Sequence, residues 1–303
     1  MSNAADHSLL LELASPILFR GDAAHAYRDP CAVYAQGEMH LFFTLAETEP
    51  DGRVFLYTAE SRSRDLERWS SPQRLTPRNQ NLNFSAPGSV VPFGDQWVMC
   101  LQSCPRPHGQ REMTDDARLW MMLSDDLDTW SLPELLRVSS GDGGASTERV
   151  TQPFLLQDRD DSGLYWCFYD QGEGRLASSR DLAHWSDEGG FDAGRNVSAL
   201  VDEHGYLLVD SPENGIGLKR STDLRRWRDL GTTVLGQNEW PWAAGRLTAG
   251  FAIDLRRAPG IEAYVLFYHG VGPAAESVFY DTHASIGIAW SEDLVAWSWP
   301  GPA

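Results

Sequence analysis

The sequence predicts an all-β chain folded as a single five-bladed β-propeller of four-stranded blades, and three observations carry that prediction. The signature Ser-x-Asp-Leu-x-x-Trp recurs five times along 303 residues. Each copy follows segments of strand length with alternating or continuous apolar character, and helical periodicity is nowhere sustained. The copies run Ser63–Trp69, Ser124–Trp130, Ser179–Trp185, Ser221–Trp227 and Ser291–Trp297, and their aspartates (Asp65, Asp126, Asp181, Asp223 and Asp293) lie 61, 55, 42 and 70 residues apart. That period has the size of a propeller blade with loops of variable length.

In the first unit the strand candidates are Ala32 to Tyr34, His40 to Leu45 and Val54 to Glu60, with Gln73 to Leu75 after the motif. The second offers Ser89 to Val91, Gln96 to Leu101, Leu119 to Leu123 and Leu135 to Val138. The third offers Phe154 to Gln157, Leu164 to Tyr169 and Leu176 to Ser178. Ser198 to Val201, Tyr206 to Val209 and Ile216 to Arg220 follow in the fourth, and Phe251 to Asp254, Tyr264 to Tyr268 and Ile286 to Trp290 in the fifth. The motif itself reads as a turn. Its Ser or Asp side chain can accept hydrogen bonds from amides just downstream, and its Leu and Trp, three apart, fall on one side. Five recurring aspartates with that duty are structural pins rather than catalytic groups. The fifth motif ends six residues before the last residue of the sequence, which leaves its blade short of a fourth strand. Residues around Leu9 to Phe19 are expected to pair there and close the ring, since an unpaired edge is a liability. Residues 1–303 form one domain on this reading, with residues 1–7 a tag remnant or a disordered N-terminus.

A net charge of −18 opposes binding to a phosphate backbone or an anionic membrane, because such binding needs clustered Lys and Arg. An uncharged small molecule such as a sugar suits this background, although acidity also serves solubility. Cys31, Cys100, Cys104 and Cys167 sit among apolar residues without Cys-x-x-Cys spacing and read as reduced core residues; the four-residue spacing of Cys100 and Cys104 admits a metal or disulfide role. No run approaches membrane-span length, and no basic region precedes the Leu9–Leu11 run, so a cytoplasmic location is expected. Phosphate loops, dinucleotide fingerprints and Gly-x-Ser-x-Gly elbows are absent from the sequence. Asn196-Val-Ser198 matches a glycosylation acceptor but falls in an expected inner strand.

In a propeller the innermost strands surround an axis, so polar groups at their starts are the ones to interrogate. Those segments are His25 to Pro30, Asn83 to Pro87, Glu148 to Pro153, Gly194 to Asn196, and Glu239 to Trp242 running on to Thr248. Three carry a polar residue close before proline: Asp29-Pro30, Ser85-Ala86-Pro87 and Gln152-Pro153. Proline is expected to hold its predecessor extended. An Arg28-Asp29-Pro30 start to the first blade, followed by four more blades with the same turn, resembles the five-bladed glycoside hydrolases of families 43, 32 and 68. The resemblance covers essentially the whole chain.

That resemblance implies a first-blade Asp as base or nucleophile, a second-blade Asp that assists and a third-blade Glu as general acid. Asp29 matches the first role, whereas Ser85 or Ala86 and Gln152 occupy the other two positions. It also admits a structural calcium ion on the axis; the residues themselves call for no cofactor, and His25, His269 and His283 lack ligand spacing. Glycoside hydrolysis needs two carboxyl groups. Glu148 and Glu239 are the leading candidates for the second, followed by Glu213 and Asp170, with a solvated loop residue as the plain alternative for Glu148 and a strand cap for Asp29. Trp240 and Trp242 could offer flat surfaces to a sugar, or simply pack. Arg28, Ser85, Gln152, Asn196, Arg246 and His269 could meet its polar groups. Arg246 stands out, because an Arg on an inner strand needs a carboxylate or an anion. The expected activity is hydrolysis of a furanoside or short oligosaccharide with Asp29 as base or nucleophile. The alternative is a propeller that binds sugar without cleaving it. A protein-interaction scaffold is a third reading, which requires an exposed apolar rim and no polar funnel.

Overall fold

A computed structural model describes residues 5–110, 112–139, 149–192, 194–272 and 281–301. The chain starts with one helical turn, Ser8–Leu11, and a short strand, β1 (Ile17–Phe19). Five antiparallel blades follow. Blade I is β2 (His25–Ala35), β3 (Glu38–Thr48), β4 (Val54–Ser63) and β5 (Gln73–Arg74); blade II is β6 (Phe84–Phe93), β7 (Gln96–Ser103), β8 (Leu119–Ser124) and β9 (Glu134–Leu135). Next comes β10 (Val138–Ser139). Blade III is β11 (Thr151–Gln157), β12 (Tyr165–Asp170), β13 (Gly174–Ser179) and β14 (Trp185–Gly190). Blade IV is β15 (Arg195–Asp202), β16 (Gly205–Ser211), β17 (Ile216–Ser221) and β18 (Arg228–Thr233). Blade V takes β19 (Arg246–Asp254), β20 (Tyr264–Val271) and β21 (Ser285–Ser291), and its fourth strand is β1. The protein is a five-bladed β-propeller.

The ring closes with the N-terminal segment, as the sequence predicts, but only its last residues form a strand. Ile17 pairs with Gly287 and Phe19 with Ile286. The helical turn Ser8–Leu11 and the residues just after it instead bury Leu10 and Leu13. The other half of the β21 edge is met by a bridge between Trp290 and Ser298. Of the residues expected to be a tag remnant or disordered, 1–4 lie outside the described residues, and Asp6 donates its backbone N–H to Glu262 Oε2 at 2.8 Å. The predicted strand Leu135 to Val138 divides between blades. β9 stays in blade II, while β10 crosses to run parallel with β14 on the outer edge of blade III. A continuous apolar run cannot reveal such a change of partner.

All five signature turns form as expected. In each, the Asp Oδ1 accepts the backbone N–H groups two and three residues on, and the Ser hydroxyl donates to that same oxygen. The motif leucines Leu66, Leu127, Leu182, Leu224 and Leu294 all adopt positive φ, between 58° and 65°, and all are buried. Left-handed backbone is costly for a side chain of this size, so burial together with the Asp and Ser bonds must hold it. In the first three copies the Trp indole N–H closes the turn on the Leu carbonyl, at 2.8, 3.1 and 2.9 Å. The four cysteines are buried free thiols.

Candidate functional site

Each inner strand slips register with its neighbour once, between Arg28 and Cys31, Ser85 and Ser89, Thr151 and Phe154, Arg195 and Ser198, and Thr248 and Phe251. These are β-bulges, and each contains one left-handed residue: Asp29 (φ 51°), Ala86 (45°), Gln152 (57°), Asn196 (49°) and Ala249 (50°). The five residues line a pocket on the propeller axis. The candidates thus sit inside strands that begin earlier than the apolar pattern suggests, rather than before them. Proline does not hold its predecessor extended here: Asp29, Ala86 and Gln152 precede Pro30, Pro87 and Pro153 with positive φ. The bulge sets two residues against one in blades I and III, and three against one in blade II, which forces the bend, and a proline there removes no ladder donor. Close approach of the blades adds to the constraint. A Cβ on Gly88 would lie 1.5 Å from the Pro153 carbonyl oxygen, so only glycine fits.

The five bulges are stitched into a ring by side chains that accept the left-handed residue's N–H across the blade boundary. Opposite the residue that precedes each left-handed position, the second strand carries Thr44, Gln102, Asp170, Ser211 or His269. Ala86 N–H donates to Thr44 Oγ1 (2.7 Å), Gln152 N–H to Gln102 Oε1 (2.7 Å), Ala249 N–H to Ser211 Oγ (2.8 Å) and Asp29 N–H to His269 Nδ1 (3.1 Å). At the boundary of blades III and IV the acceptor differs. Asn196 N–H goes to Gln152 Oε1 at 2.9 Å.

Asp29 is the single carboxylate among the five left-handed residues. Thr44, fully buried, already accepts the Ala86 N–H, so its own proton is directed onto Asp29 Oδ2 at 2.9 Å. Arg28 lies with Nε 3.7 Å from Asp29 Oδ2 and Nη1 3.7 Å from Asp281 Oδ1. Asp281 is gripped by both terminal nitrogens of Arg106, at 2.7 and 3.1 Å. His269, 2% exposed, is 3.9 Å from Asp29 Oδ1 through Nδ1. Burial pushes its pKa down to about 4; Asp29 pulls the other way, and the nearby Arg28 and Arg246 add to the depression. The ring is therefore neutral near pH 7, accepts through Nδ1 and carries its proton on Nε2.

The remaining candidates divide. Ser85, buried, precedes the second-blade left-handed residue, which is Ala86; Gln152 and Asn196 belong to the ring. Arg246 begins β19, donates from Nη2 to the Pro212 carbonyl (3.3 Å) and acts electrostatically on His269. Trp240 is 3% exposed, and its ring stacks on Trp242 and Tyr268 and meets Trp299 edge-on. Both indoles pack with the cluster between blades IV and V, which leaves Trp240 no open face for a ligand. Glu239 is exposed on the 3-10 turn Gln237–Glu239 and does not line the axial pocket. Glu213 is exposed between β16 and β17, and Glu148 lies outside the described residues. Thr44, Gln102, Ser211, Arg106 and Asp281 were not anticipated. The second-strand residues share nothing but a polar acceptor, so no motif marks them.

Among the described residues no group of three or more His, Cys, Asp or Glu is arranged to hold a metal ion. Calcium takes six to eight oxygen ligands. The side chains at the five left-handed positions supply few of these, since two are alanine and the Gln152 side-chain Oε1 already accepts the Asn196 N–H.

No protein-family model matches the sequence, and none of the curated proteins matches it. Solved structures do. An exo-1,5-α-L-arabinanase from a bovine ruminal metagenomic library superposes with a TM-score of 0.60 at 14% identity, covering 90% of this chain and 95% of that one. The catalytic domain of a GH62 α-L-arabinofuranosidase from Coprinopsis cinerea gives 0.65 at 14% identity, over 93% and 97%. An α-L-arabinofuranosidase from Podospora anserina, solved with cellotriose, gives 0.61 at 14% identity over 92% of each chain. The likeness is one of fold. Because it spans nearly all of each chain, the same ring of blades is common to all of them.

Proposed function

We propose that this propeller is a glycoside hydrolase-like protein that binds a carbohydrate on its axis, with an α-L-arabinofuranoside as the substrate class and Asp29 as the reacting carboxylate. The observation that carries the reading is the setting of Asp29. It is the one acid among five equivalent left-handed residues, with a Thr44 hydroxyl donated to Oδ2, a guanidinium alongside and a histidine under its amide. The folds it resembles support the substrate class, since those proteins are named as arabinanase and arabinofuranosidases.

Chemically, a carboxylate so placed serves as a base towards water or as a nucleophile towards the anomeric carbon, and either role needs a second carboxyl group to protonate the departing oxygen. His269 fixes the backbone at Asp29 and, being neutral, adds no competing positive charge. Arg28 beside Asp29, and Arg246 acting on His269, bring positive charge near the same carboxylate, where they can orient sugar hydroxyls. Replacing Asp29 with Asn keeps the size and the Thr44 acceptor but removes the charge. Turnover of 4-nitrophenyl α-L-arabinofuranoside is expected to fall roughly 10²- to 10⁴-fold, and a near wild-type rate in Asp29→Asn would remove Asp29 from the chemistry.

A second reading draws on a different observation: Ala86 and Gln152 stand at the left-handed positions of blades II and III, where no carboxylate is available. It holds that the pocket binds the sugar without cleaving it. Calorimetry with arabino-oligosaccharides that gives binding, beside no release of sugar from any of them, selects this reading.

A further inference from the structure

The ring that stitches the blades together breaks its rule once. In four blades the second-strand side chain is spent on the next blade's left-handed amide: Thr44, Gln102, Ser211 and His269. The equivalent residue of blade III is Asp170, opposite Thr151. A carboxylate would be a strong acceptor for the Asn196 amide. Instead that amide is taken by Gln152, reaching from the inner strand of its own blade.

The consequence is a carboxyl group at a ring position with no structural duty towards the ring. Asp170 is half-buried at the end of β12, and its Oδ1 accepts the Gly172 N–H at 3.2 Å. Among the described residues its Oδ2 accepts no hydrogen bond and it pairs with no cation. The other carboxylates nearby are committed. Arg106 occupies both oxygens of Asp281, and Asp210 Oδ2 accepts the Gly194 N–H at 2.6 Å and faces Lys219 at 3.1 Å. Asp170 belongs to blade III and Asp29 to blade I, and by register Asp170 takes in its blade the place that Thr44, the hydroxyl partner of Asp29, takes in blade I, so two different blades can offer an acid to one bond.

We propose that Asp170 is the second reacting carboxyl group, the general acid for the glycosidic oxygen. This rests on the hydrolase reading above. The C1–O bond breaks with its electron pair going to the leaving oxygen, which takes the Asp170 proton. Asp29 either takes a proton from the water that attacks C1, or forms an ester to C1 that water then cleaves. The water proton returns to Asp170 through solvent or through the reverse proton transfer, so glycoside and water become sugar and alcohol with nothing left over.

The test compares methyl with 2,4-dinitrophenyl α-L-arabinofuranoside in wild type, Asp170→Asn and Asp29→Asn, with melting curves to establish that each variant folds. A general acid matters only where the leaving oxygen needs a proton. Asp170→Asn is therefore expected to lose roughly 10²- to 10⁴-fold on the methyl glycoside and under about 10-fold on the dinitrophenyl one, while Asp29→Asn loses on both. Equal losses on the two substrates, or no loss, overturn the role of Asp170 while Asp29 stands. If Asp170→Asn fails to fold, Asp170→Ser is put through the same comparison. Absence of turnover in wild type overturns the hydrolase reading itself, and the acid role with it.

Discussion

His269 shows how one buried side chain couples the candidate site to stability. Its folded pKa of about 4 lies below the 6.5 of an ordinary histidine, and burial is the main cause. Above pH 6.5 the ring is neutral in both folded and unfolded chains, and the contribution is fully present. As pH falls through 6.5 the unfolded chain takes up a proton that the folded chain refuses, and stability drains away until about pH 4. The linkage amounts to roughly 3 kcal/mol across that window. In His269→Gln the amide oxygen can still accept the Asp29 N–H but cannot titrate. Urea unfolding from pH 7 to pH 4 is expected to show that segment of the pH dependence in wild type and to lose it in the variant; identical curves would place the His269 pKa elsewhere. Asp29 itself was legible in the sequence because the Arg28-Asp29-Pro30 start of the first blade resembles that of the five-bladed glycoside hydrolases. Thr44 and Gln102 were not, because a lone Thr or Gln at the end of an apolar run carries no signal until the register puts it beside another blade's amide.

At the scale of the element, the signature turn is a self-contained unit. Asp126 Oδ1 accepts the N–H groups of Asp128 and Thr129, both at 2.8 Å, and the Thr129 bond is the foremost reason its carboxyl titrates below the usual range. Asp126→Ala leaves those amides to water and frees Leu127 from one of the restraints on its left-handed backbone. The expected cost is a small fall in the chemical-denaturation midpoint, with glycoside turnover and sugar binding unchanged. A loss of activity out of proportion to that cost would mean that the recurring aspartates do more than pin the turn. The turns were readable because every bond in them spans three residues or fewer. The division of the run 135–138 between blades II and III was not, since it depends on which outer edge lies within reach.

For the whole molecule, the decisive element is the three-residue β1. β1 hydrogen-bonds to blade V, yet the Phe19 ring packs against Tyr27 and Phe43 of blade I and against Trp69, with centroids 5.5, 5.1 and 5.7 Å away. It therefore joins the last blade to the first. Removing residues 5–19 would strip Leu10, Leu13 and Phe19 from the core and leave the β21 edge open. Burial of three such side chains is worth about 5 kcal/mol or more, comparable with the whole stability of many domains. The truncated chain is expected to melt far lower or to aggregate through the open edge. A truncated protein whose Tm falls by only a degree or two would show that the ring closes without this strand.

The sequence by itself determined the blade count, the fivefold turn and the source of the closing strand. Each of these is written in a local pattern, either a period of hydrophobic residues or a motif whose hydrogen bonds lie within a few positions. Only the tertiary structure decided which residues are equivalent around the axis. It set Ala249, rather than any of the Glu239 to Thr248 candidates, at the fifth left-handed position, sent Trp240 into the core and released Asp170 from the ring. The ring bonds behind these placements join side chains to amides of the next blade, from 38 to 240 residues away, and nothing in the local pattern encodes that meeting.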